Sequence, residues 1–139
     1  MLRVLMPVDG SENSLRAVGF VIRKAPLYKE PLELHLLNVQ HPFPGTITGV
    51  HELAERHHHD EGIKALAAAR KALDAAGLKY VYHISVGDSG EVIAHVVRDK
   101  KIEQVVMGTR GLGSVANMLL GSVANKVLHL VDVPVLLVK

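Results

Sequence analysis

Five short apolar runs, each long enough for a buried strand, recur along the chain with helix-like segments between them. Strands that alternate with helices form a parallel sheet that helices cover on both faces. Such doubly covered strands are apolar along nearly their whole length, as these runs are. The pattern therefore predicts an α/β fold, and the length of 139 residues fits one domain, residues 1–139. The predicted strands are residues 2–8, 32–39, 79–86, 102–108 and 133–138.

The four segments between these runs carry helix signals. Ser11 can cap the first helix, and Pro26 closes it. The second helix is predicted at about residues 52–76, and Gly77 follows where a helix end favours a left-handed residue. Either Asp88 or Ser89 caps the third helix. The predicted apolar stripes consist of Leu15, Val18, Ile22 and Ala25, then Ile63, Leu66, Ala69, Leu73 and Ala76, then Val92, Ile93, Val96 and Val97, and finally Val123, Val127 and Leu130.

Two turns that leave the carboxyl ends of predicted strands carry unusual chemistry. One is PVDGS after the first strand, and the other is MGTRGLG after the fourth. Ligands of open α/β sheets bind beyond the carboxyl ends of the strands, where the strand order reverses. If the first and fourth strands are neighbours, the two turns face each other across one crevice.

The second turn has the features of an anion site. Glycines at positions 108, 111 and 113 allow the backbone to approach a ligand without a Cβ in the way. Gly121 and Ser122 then open the last helix. The first amides of a helix lack partners within it and favour anions, phosphate above all. These features predict a phosphate site at the start of the last helix, to which the Ser122 hydroxyl adds a donor.

Two charged side chains extend this interpretation towards a nucleotide. Arg110 carries a fork of donors that suits a phosphate, and Asp9 offers two acceptors to the hydroxyl pair of a ribose. A plain structural interpretation has about equal weight on the residues alone: turn glycines, Ser122 as an ordinary N-cap, a solvated Arg110, and Asp9 capping the first helix with Ser11. The stretch is not a P-loop, because no Gly-Lys-Ser/Thr follows, and it is not the dinucleotide fingerprint, which follows a first strand.

The residues of this stretch resemble the universal stress protein family. Its nucleotide-binding members carry Gly-x2-Gly-x9-Gly-Ser/Thr, which occurs here with matching spacing as Gly108, Gly111, Gly121 and Ser122. The opening PVDGS and the ending GSVANKVLHLVDVPVLLVK are also similar to the family, so that the resemblance covers the whole chain. It implies a five-stranded, doubly wound parallel sheet in the order 3-2-1-4-5, which is Rossmann-like and of the adenine nucleotide alpha hydrolase-like type.

The resemblance also implies a ligand, which is ATP, with AMP or ADP as alternatives. Asp9 would hold the ribose, Gly108 would pack near it, and Pro7 and Val39 would line the adenine site, Val39 through its backbone. Arg110 occupies an open position of the motif, so its role is our inference from its chemistry. The groups that would hold the phosphates are the amides of Gly111, Gly121, Ser122 and Val123 together with the Ser122 hydroxyl. Mg²⁺ or Mn²⁺ is compatible with this ligand, held by phosphate and water, since no protein carboxylate is evident for it.

We therefore expect an ATP-binding regulatory protein of the stress response, whose nucleotide state changes partner binding or assembly. One alternative is a slow ATPase or phosphotransferase, which the lack of an evident residue to orient a nucleophile disfavours. Another is a dimeric scaffold without nucleotide. The resemblance also implies a homodimer through the last strand, from Val133 to Val138, which is apolar throughout and lies at a sheet edge.

Composition excludes several other classes. The chain has no cysteine and no signal-peptide pattern, which fits a cytoplasmic protein, and no stretch has the length and apolar character of a membrane span. The net charge is only +2 and aromatic residues make up 4%, so nucleic acid is not an expected partner. The run from His57 to Asp60 is interpreted as a solvated helix start, because three adjacent helical histidines cannot share one face. The loop at residues 40–49 carries no diagnostic motif.

Overall fold

A computed structural model of the protein describes residues 1–43, 51–112 and 117–139. Strands and helices alternate in it as the apolar runs predict. The elements are β1 (Leu2–Pro7), α1 (Glu12–Lys24), a short 3₁₀ turn (Ala25–Leu27), β2 (Leu32–Gln40), α2 (His51–Ala75), β3 (Tyr80–Val86), α3 (Ser89–Asp99), β4 (Gln104–Gly108), α4 (Ser122–Leu130) and β5 (Val135–Val138).

The five strands form one parallel sheet in the order β3-β2-β1-β4-β5. This order confirms the predicted 3-2-1-4-5 arrangement, and it makes β1 and β4 neighbours. β1 ends with Pro7 paired with Leu37 of β2, and β4 ends with Gly108 paired with Val138 of β5. The turns that follow β1 and β4 therefore leave the same edge of the sheet side by side.

Strand residues alternate between two apolar layers, one on each face of the sheet. Val4, Met6 and Leu34 pack with α1 and α2 on one face. Leu5 and Leu37 pack with α3 and α4 on the other. Because side chains of a strand point alternately to opposite faces, continuous apolar strands supply both layers, as the sequence pattern requires.

Details of the helices differ from the sequence prediction. The buried stripe of α1 is rotated from the predicted one: Ala17 and Val21 are buried, whereas Leu15 and Ile22 only border the core. The shift arises because α1 also buries polar residues of its first turn towards the sheet. In α2 the stripe is confirmed at Leu66, Ala69 and Leu73, whereas Ile63 is only partly buried and Ala76 is exposed beyond the helix end. Gly77 has the predicted left-handed conformation, with φ of 71°.

The predicted solvated start of α2 is wrong at one residue. His57 and His59 are exposed, but His58 is only 8% exposed, and its ring centroid lies 4.8 Å from that of Phe43. Successive helical residues point about 100° apart, so the rotation that separates the three histidines turns the middle one inward. The described residues contain no group of three or more side chains suited to a metal ion.

Two strands begin later than predicted. β4 begins at Gln104 and β5 at Val135, where the sequence suggests 102 and 133. Pro134 has no amide to donate to the sheet, although its carbonyl accepts the Val105 amide at 3.0 Å. Most of the loop predicted at residues 40–49 lies outside the described residues. No helix in the described parts of the chain is long and apolar enough to cross a membrane.

Candidate functional site

A cleft of about 850 Å³ lies at the carboxyl ends of β1 and β4. Sites for small molecules have volumes of roughly 300–1,000 Å³ and occur where the strand order of an α/β sheet reverses, as it does between these two strands. The structure brings all the predicted site residues together around this cleft. They are Pro7, Asp9, Val39, Gly108, Arg110, Gly111, Gly121, Ser122 and Val123. Gly113, which the sequence analysis placed beside them, lies outside the described residues.

Asp9 sits at the junction of the two turns. Its Oδ1 accepts the Ser11 amide at 2.9 Å, and its Oδ2 accepts the Leu112 amide, also at 2.9 Å. Ser11 caps α1 by accepting the Ser14 amide at 3.1 Å. The plain structural interpretation had Asp9 and Ser11 cap α1 together. In the structure Ser11 bonds to the amide of the first turn of α1, and Asp9 stabilises the turn before it by accepting the Ser11 amide. The second oxygen of Asp9 reaches across the cleft to the glycine loop, a name that we use for residues 108–112 at the end of β4.

These contacts hold the Asp9 carboxyl in its charged form. Partial burial raises its pKa. Hydrogen bonds from the side chain and amide of Ser11 lower the pKa, as do those from the Leu112 amide and Ser14, and the net result is a pKa below that of an ordinary aspartate. At neutral pH Asp9 is therefore a carboxylate that accepts hydrogen bonds and has no proton to give.

Gly111 faces Asp9 at a distance that leaves no room for a side chain. A Cβ at this position would overlap Oδ2 of Asp9 and would lie 3.4 Å from its Cγ. Because Oδ2 is the oxygen that accepts the Leu112 amide, the glycine allows the loop to come close enough for that hydrogen bond. The contact with Asp9 thus explains why position 111 is a glycine, without reference to a ligand.

The start of α4 forms the other end of the site. Gly121 is the N-cap, in an extended conformation, and as a glycine it supplies no side chain to cap the helix. The Gly121 amide donates to the Thr109 carbonyl at 2.6 Å, which closes the base of the glycine loop. The amides of Ser122, Val123 and Ala124 follow, and in an α-helix such amides have no partner within the helix. The first turn of α4 contains no acidic residue, so its partial positive charge is not offset there.

The sequence analysis missed several residues of the cleft. Asn38, 2% exposed, donates to the Val8 carbonyl at 2.8 Å and accepts from Gln40 at 2.7 Å, which fixes the ends of β1 and β2. An amide inside an apolar strand was a signal that could have identified it. Glu61 and Lys64 of α2 also line the cleft, 3.2 Å apart. They look like any solvated helical pair in the sequence, so no pattern identified them.

A doubly wound parallel sheet with a cleft at its switch point defines a class, the open α/β proteins that bind ligands beyond the carboxyl ends of their strands. Within that class, the chain belongs to the universal stress protein family, whose family model matches residues 1–139. Universal stress protein MJ0531 of Methanocaldococcus jannaschii is 32% identical over 139 residues, which cover 99% of this chain and 81% of the relative.

Solved structures agree with this membership. The hypothetical protein MJ0577 superposes with a TM-score of 0.83 at 28% identity, covering 99% of this chain and 95% of that one. A universal stress protein solved in complex with cAMP superposes with a TM-score of 0.72 at 26% identity, covering 99% of this chain and 97% of that one. The predicted family and fold are thereby confirmed.

Proposed function

We propose that this protein binds ATP in the cleft and that its nucleotide state changes its affinity for a partner or its assembly in the stress response. The observation that carries the proposal is the pairing, in one cleft, of a carboxylate at the end of β1 with the first amides of α4, whose N-cap is a glycine without a capping side chain. A nucleoside phosphate has complementary groups: hydroxyls that donate and phosphates that accept.

Asp9 suits the ribose. A carboxylate has about four acceptor positions, and the amides of Ser11 and Leu112 use one on each oxygen. The Ser11 and Ser14 hydroxyls that also bond to this carboxylate can rotate away, which leaves acceptor positions for the two hydroxyls of a ribose. Pro7 and Val39, at the ends of β1 and β2, line the part of the cleft in which the base would lie. We assign the ribose contact to Asp9 and the base contacts to Pro7 and Val39.

The start of α4 suits the phosphates. The amides of Ser122 and Val123 and the Ser122 hydroxyl supply donors where the helix dipole favours negative charge. The Gly121 amide is already bound to Thr109, so we assign Gly121 a role in closing the loop and letting the backbone approach the ligand. Arg110 and Gly111 line the cleft between the two ends and complete the phosphate site.

The relative solved with cAMP supports an adenine nucleotide as the class of ligand. ATP is our choice within that class, because a longer phosphate chain uses more of the donors at α4. The described residues form no metal cluster. Mg²⁺ or Mn²⁺ would accordingly be held by the phosphates and water, and we assign no protein ligand to it.

Dedicated hydrolysis is not part of the proposal. A general base works best with a pKa near the operating pH, whereas the hydrogen bonds of Asp9 lower its pKa below the ordinary value. Glu61, the other carboxylate that lines the described part of the cleft, is paired with Lys64. We expect little or no ATP turnover within minutes.

We also propose that the protein is located in the cytoplasm.

We further propose a homodimer through the last strand. β5 lies at one edge of the sheet, and all four of its residues are partly exposed. An apolar edge strand is a template for a second chain, and two copies can pair antiparallel about a two-fold axis. Light scattering should give twice the chain mass of 15.1 kDa. A protein that stays monomeric at high micromolar concentration would refute the dimer.

Identification of the bound nucleotide tests the binding proposal. The protein is purified, denatured and filtered, and the released small molecules are identified by mass. We expect ATP or its products AMP and ADP. If no nucleotide is released, the same protein is titrated with ATP by calorimetry, and absence of binding at millimolar ATP would exclude the proposed function.

A further inference from the structure

Asn13 is a buried polar residue that lies behind the cleft and does not line it. It belongs to the first turn of α1 and is 7% exposed. Its Oδ1 accepts the Arg110 amide at 2.8 Å, and its Nδ2 donates to the Val138 carbonyl at 3.2 Å. One side chain of α1 thus connects the first residues of the glycine loop to the last residue of β5.

The surrounding hydrogen bonds extend this connection to α4. The Val138 carbonyl also accepts the Thr109 amide at 3.0 Å, and the Thr109 carbonyl accepts the Gly121 amide at 2.6 Å. The base of the glycine loop is therefore one hydrogen-bonded unit, and Asn13 attaches that unit to α1. Since α4 begins at the residue after Gly121, the position of its first amides depends on the same unit.

Gly108 lies directly against Asn13. A Cβ on Gly108 would overlap Oδ1 of Asn13, would lie 2.8 Å from its Cγ and would lie 3.1 Å from its backbone carbonyl carbon. Contacts of this kind cannot be relieved by a flexible chain end, because the Asn13 amide group is fixed by its two hydrogen bonds. The need for glycine at position 108 therefore has a cause inside the protein.

We propose that Asn13 is a positioning residue of the nucleotide site: it fixes the glycine loop and the start of α4, and it is the reason that position 108 must be glycine. Asn13 touches no ligand in this account and acts through the backbone of Arg110 and Val138. Because the unit that it holds carries the phosphate donors, its loss affects the phosphate end of the site more than the base and ribose end. This consequence rests on the proposed nucleotide function.

The first test compares Asn13→Ala with the wild type and with Leu73→Ala. Leu73 is fully buried in the α2 layer and does not line the cleft, so its truncation controls for a general loss of stability. Affinities for ATP and for adenosine are measured by calorimetry. We expect Asn13→Ala to weaken ATP binding about tenfold and to leave adenosine binding nearly unchanged, and we expect Leu73→Ala to change neither. Equal losses for both ligands, or no loss, would overturn the positioning role.

The second test needs no ligand. Relative to exchange at core strand amides of the same protein, amide hydrogen exchange at Arg110 should become about tenfold faster in Asn13→Ala, and this ratio should stay unchanged in Leu73→Ala. Unchanged exchange at Arg110 would show that Asn13 does not hold the loop. If Asn13→Ala does not fold, Asn13→Ser replaces it with the same expected results, because a serine hydroxyl is too short to bridge both partners. A wild type that binds neither ATP nor adenosine would refute the nucleotide function, and exchange would still decide the role of Asn13.

The third test is a double-mutant cycle on Gly108. Gly108→Ala should strongly destabilise the wild type and should cost much less in the Asn13→Ala background, where the side chain that it overlaps is absent. The remaining 3.1 Å approach to the Asn13 backbone prevents full rescue. Equal destabilisation in both backgrounds would show that Asn13 is not the reason for this glycine.

Discussion

The two walls of the cleft are held in place by different means. On the β1 wall, Asp9 is fixed by the turn that contains it, through Ser11, which lies two positions away. On the β4 wall, the glycine loop is fixed by remote partners: Arg110 bonds to Asn13 across 97 positions, and Leu112 bonds to Asp9 across 103. The first wall is a local structure that a short peptide motif can specify, whereas the second depends on the complete fold.

The comparison also explains where glycine is required. On the β4 wall, Gly108 and Gly111 lie against Asn13 and Asp9, which belong to the β1 side. The two walls therefore touch each other at both glycines. Replacing either glycine should disturb both walls together, whereas Asp9→Asn should change a single group.

The largest effect is expected for Gly111→Ala. Its Cβ would overlap Oδ2 of Asp9, so the loop or the carboxylate must move, and overpacking of this kind costs roughly 1–3 kcal/mol. Because the loop and the ribose contact are disturbed together, we expect ATP affinity to fall about a hundredfold, as measured by calorimetry.

Gly19→Ala is the matched control for that substitution. Gly19 lies inside α1, where the nearest atom to an added Cβ is 3.4 Å away, on the flexible side chain of Arg23. Alanine there should stabilise the protein by roughly 0.5–1 kcal/mol and should leave binding unchanged. If Gly111→Ala binds ATP as the wild type does, the close contact between the walls is not part of the site.

An intermediate effect is expected for Asp9→Asn, which changes one group on the β1 wall. The amide keeps the size of the carboxylate but loses the charge and one acceptor, and a hydrogen bond to a charged group contributes roughly 1.5–3 kcal/mol. Because the amide oxygen still accepts a hydrogen bond, we expect a loss near the lower end of this range, about tenfold to thirtyfold in ATP affinity. The 2′,3′-dideoxy analogue of ATP, which lacks both ribose hydroxyls, should bind the wild type and Asp9→Asn equally weakly. If Asp9→Asn still prefers ATP over this analogue as strongly as the wild type does, Asp9 does not contact the ribose.

A smaller effect is expected for Ser122→Ala. One hydroxyl is lost from the start of α4, while the helix amides that follow Gly121 remain. The expected loss of ATP binding is about 1 kcal/mol, roughly fivefold. A loss as large as that of Gly111→Ala would mean that the hydroxyl, rather than the helix amides, holds the phosphates.

The smallest effect concerns pH. The folded pKa of Asp9 is lowered, so the charged carboxylate stabilises the fold above the ordinary aspartate value near 3.9, and this contribution is lost as the pH falls through the folded pKa. Glu33 and Asp88 also have lowered pKa values and contribute to the same pH dependence. The contribution of Asp9 is therefore measured by comparing the wild type with Asp9→Asn. Urea unfolding at pH 7 and pH 3 measures the free energy of unfolding of the wild type and of Asp9→Asn. The difference between the two proteins should become smaller at pH 3. A difference that becomes larger instead would contradict the assigned hydrogen bonds.

The same division between local and remote contacts explains which features of the fold and of the site could be predicted from the sequence alone. Apolar runs and turn residues predicted the five strands, and the family resemblance supplied the strand order. The structure confirms the order and all five strands, with β4 and β5 beginning two residues later than predicted. The capping signal at Ser11 and the left-handed Gly77 were also predictable, because each depends on its neighbours alone. The proposed site residues were placed at separate points of the sequence, and the fold brings them to one cleft. Five lie on the two turns, Val39 lies near the end of the second strand, and Gly121, Ser122 and Val123 lie at the start of the last helix.

Contacts between distant segments were not predictable in this way. Asn13 looks like a solvated residue of a helix start, and only the sheet order puts it against Gly108. The inward turn of His58 likewise depends on Phe43, which precedes α2. The bond between the Gly121 amide and the Thr109 carbonyl removes that amide from the proposed phosphate donors, and no spacing rule in the motif indicates it.

The most direct test of nucleotide binding is thermal unfolding of protein shown to be free of nucleotide, with and without ATP. A ligand that binds only the native state stabilises it by about 2.7 kcal/mol at a hundredfold excess over the dissociation constant. For a chain of 139 residues, this corresponds to a rise in Tm of about 10 °C. We expect that rise for the wild type and a much smaller one for Gly111→Ala at the same ATP concentration. No rise for the wild type at millimolar ATP would contradict nucleotide binding in this cleft.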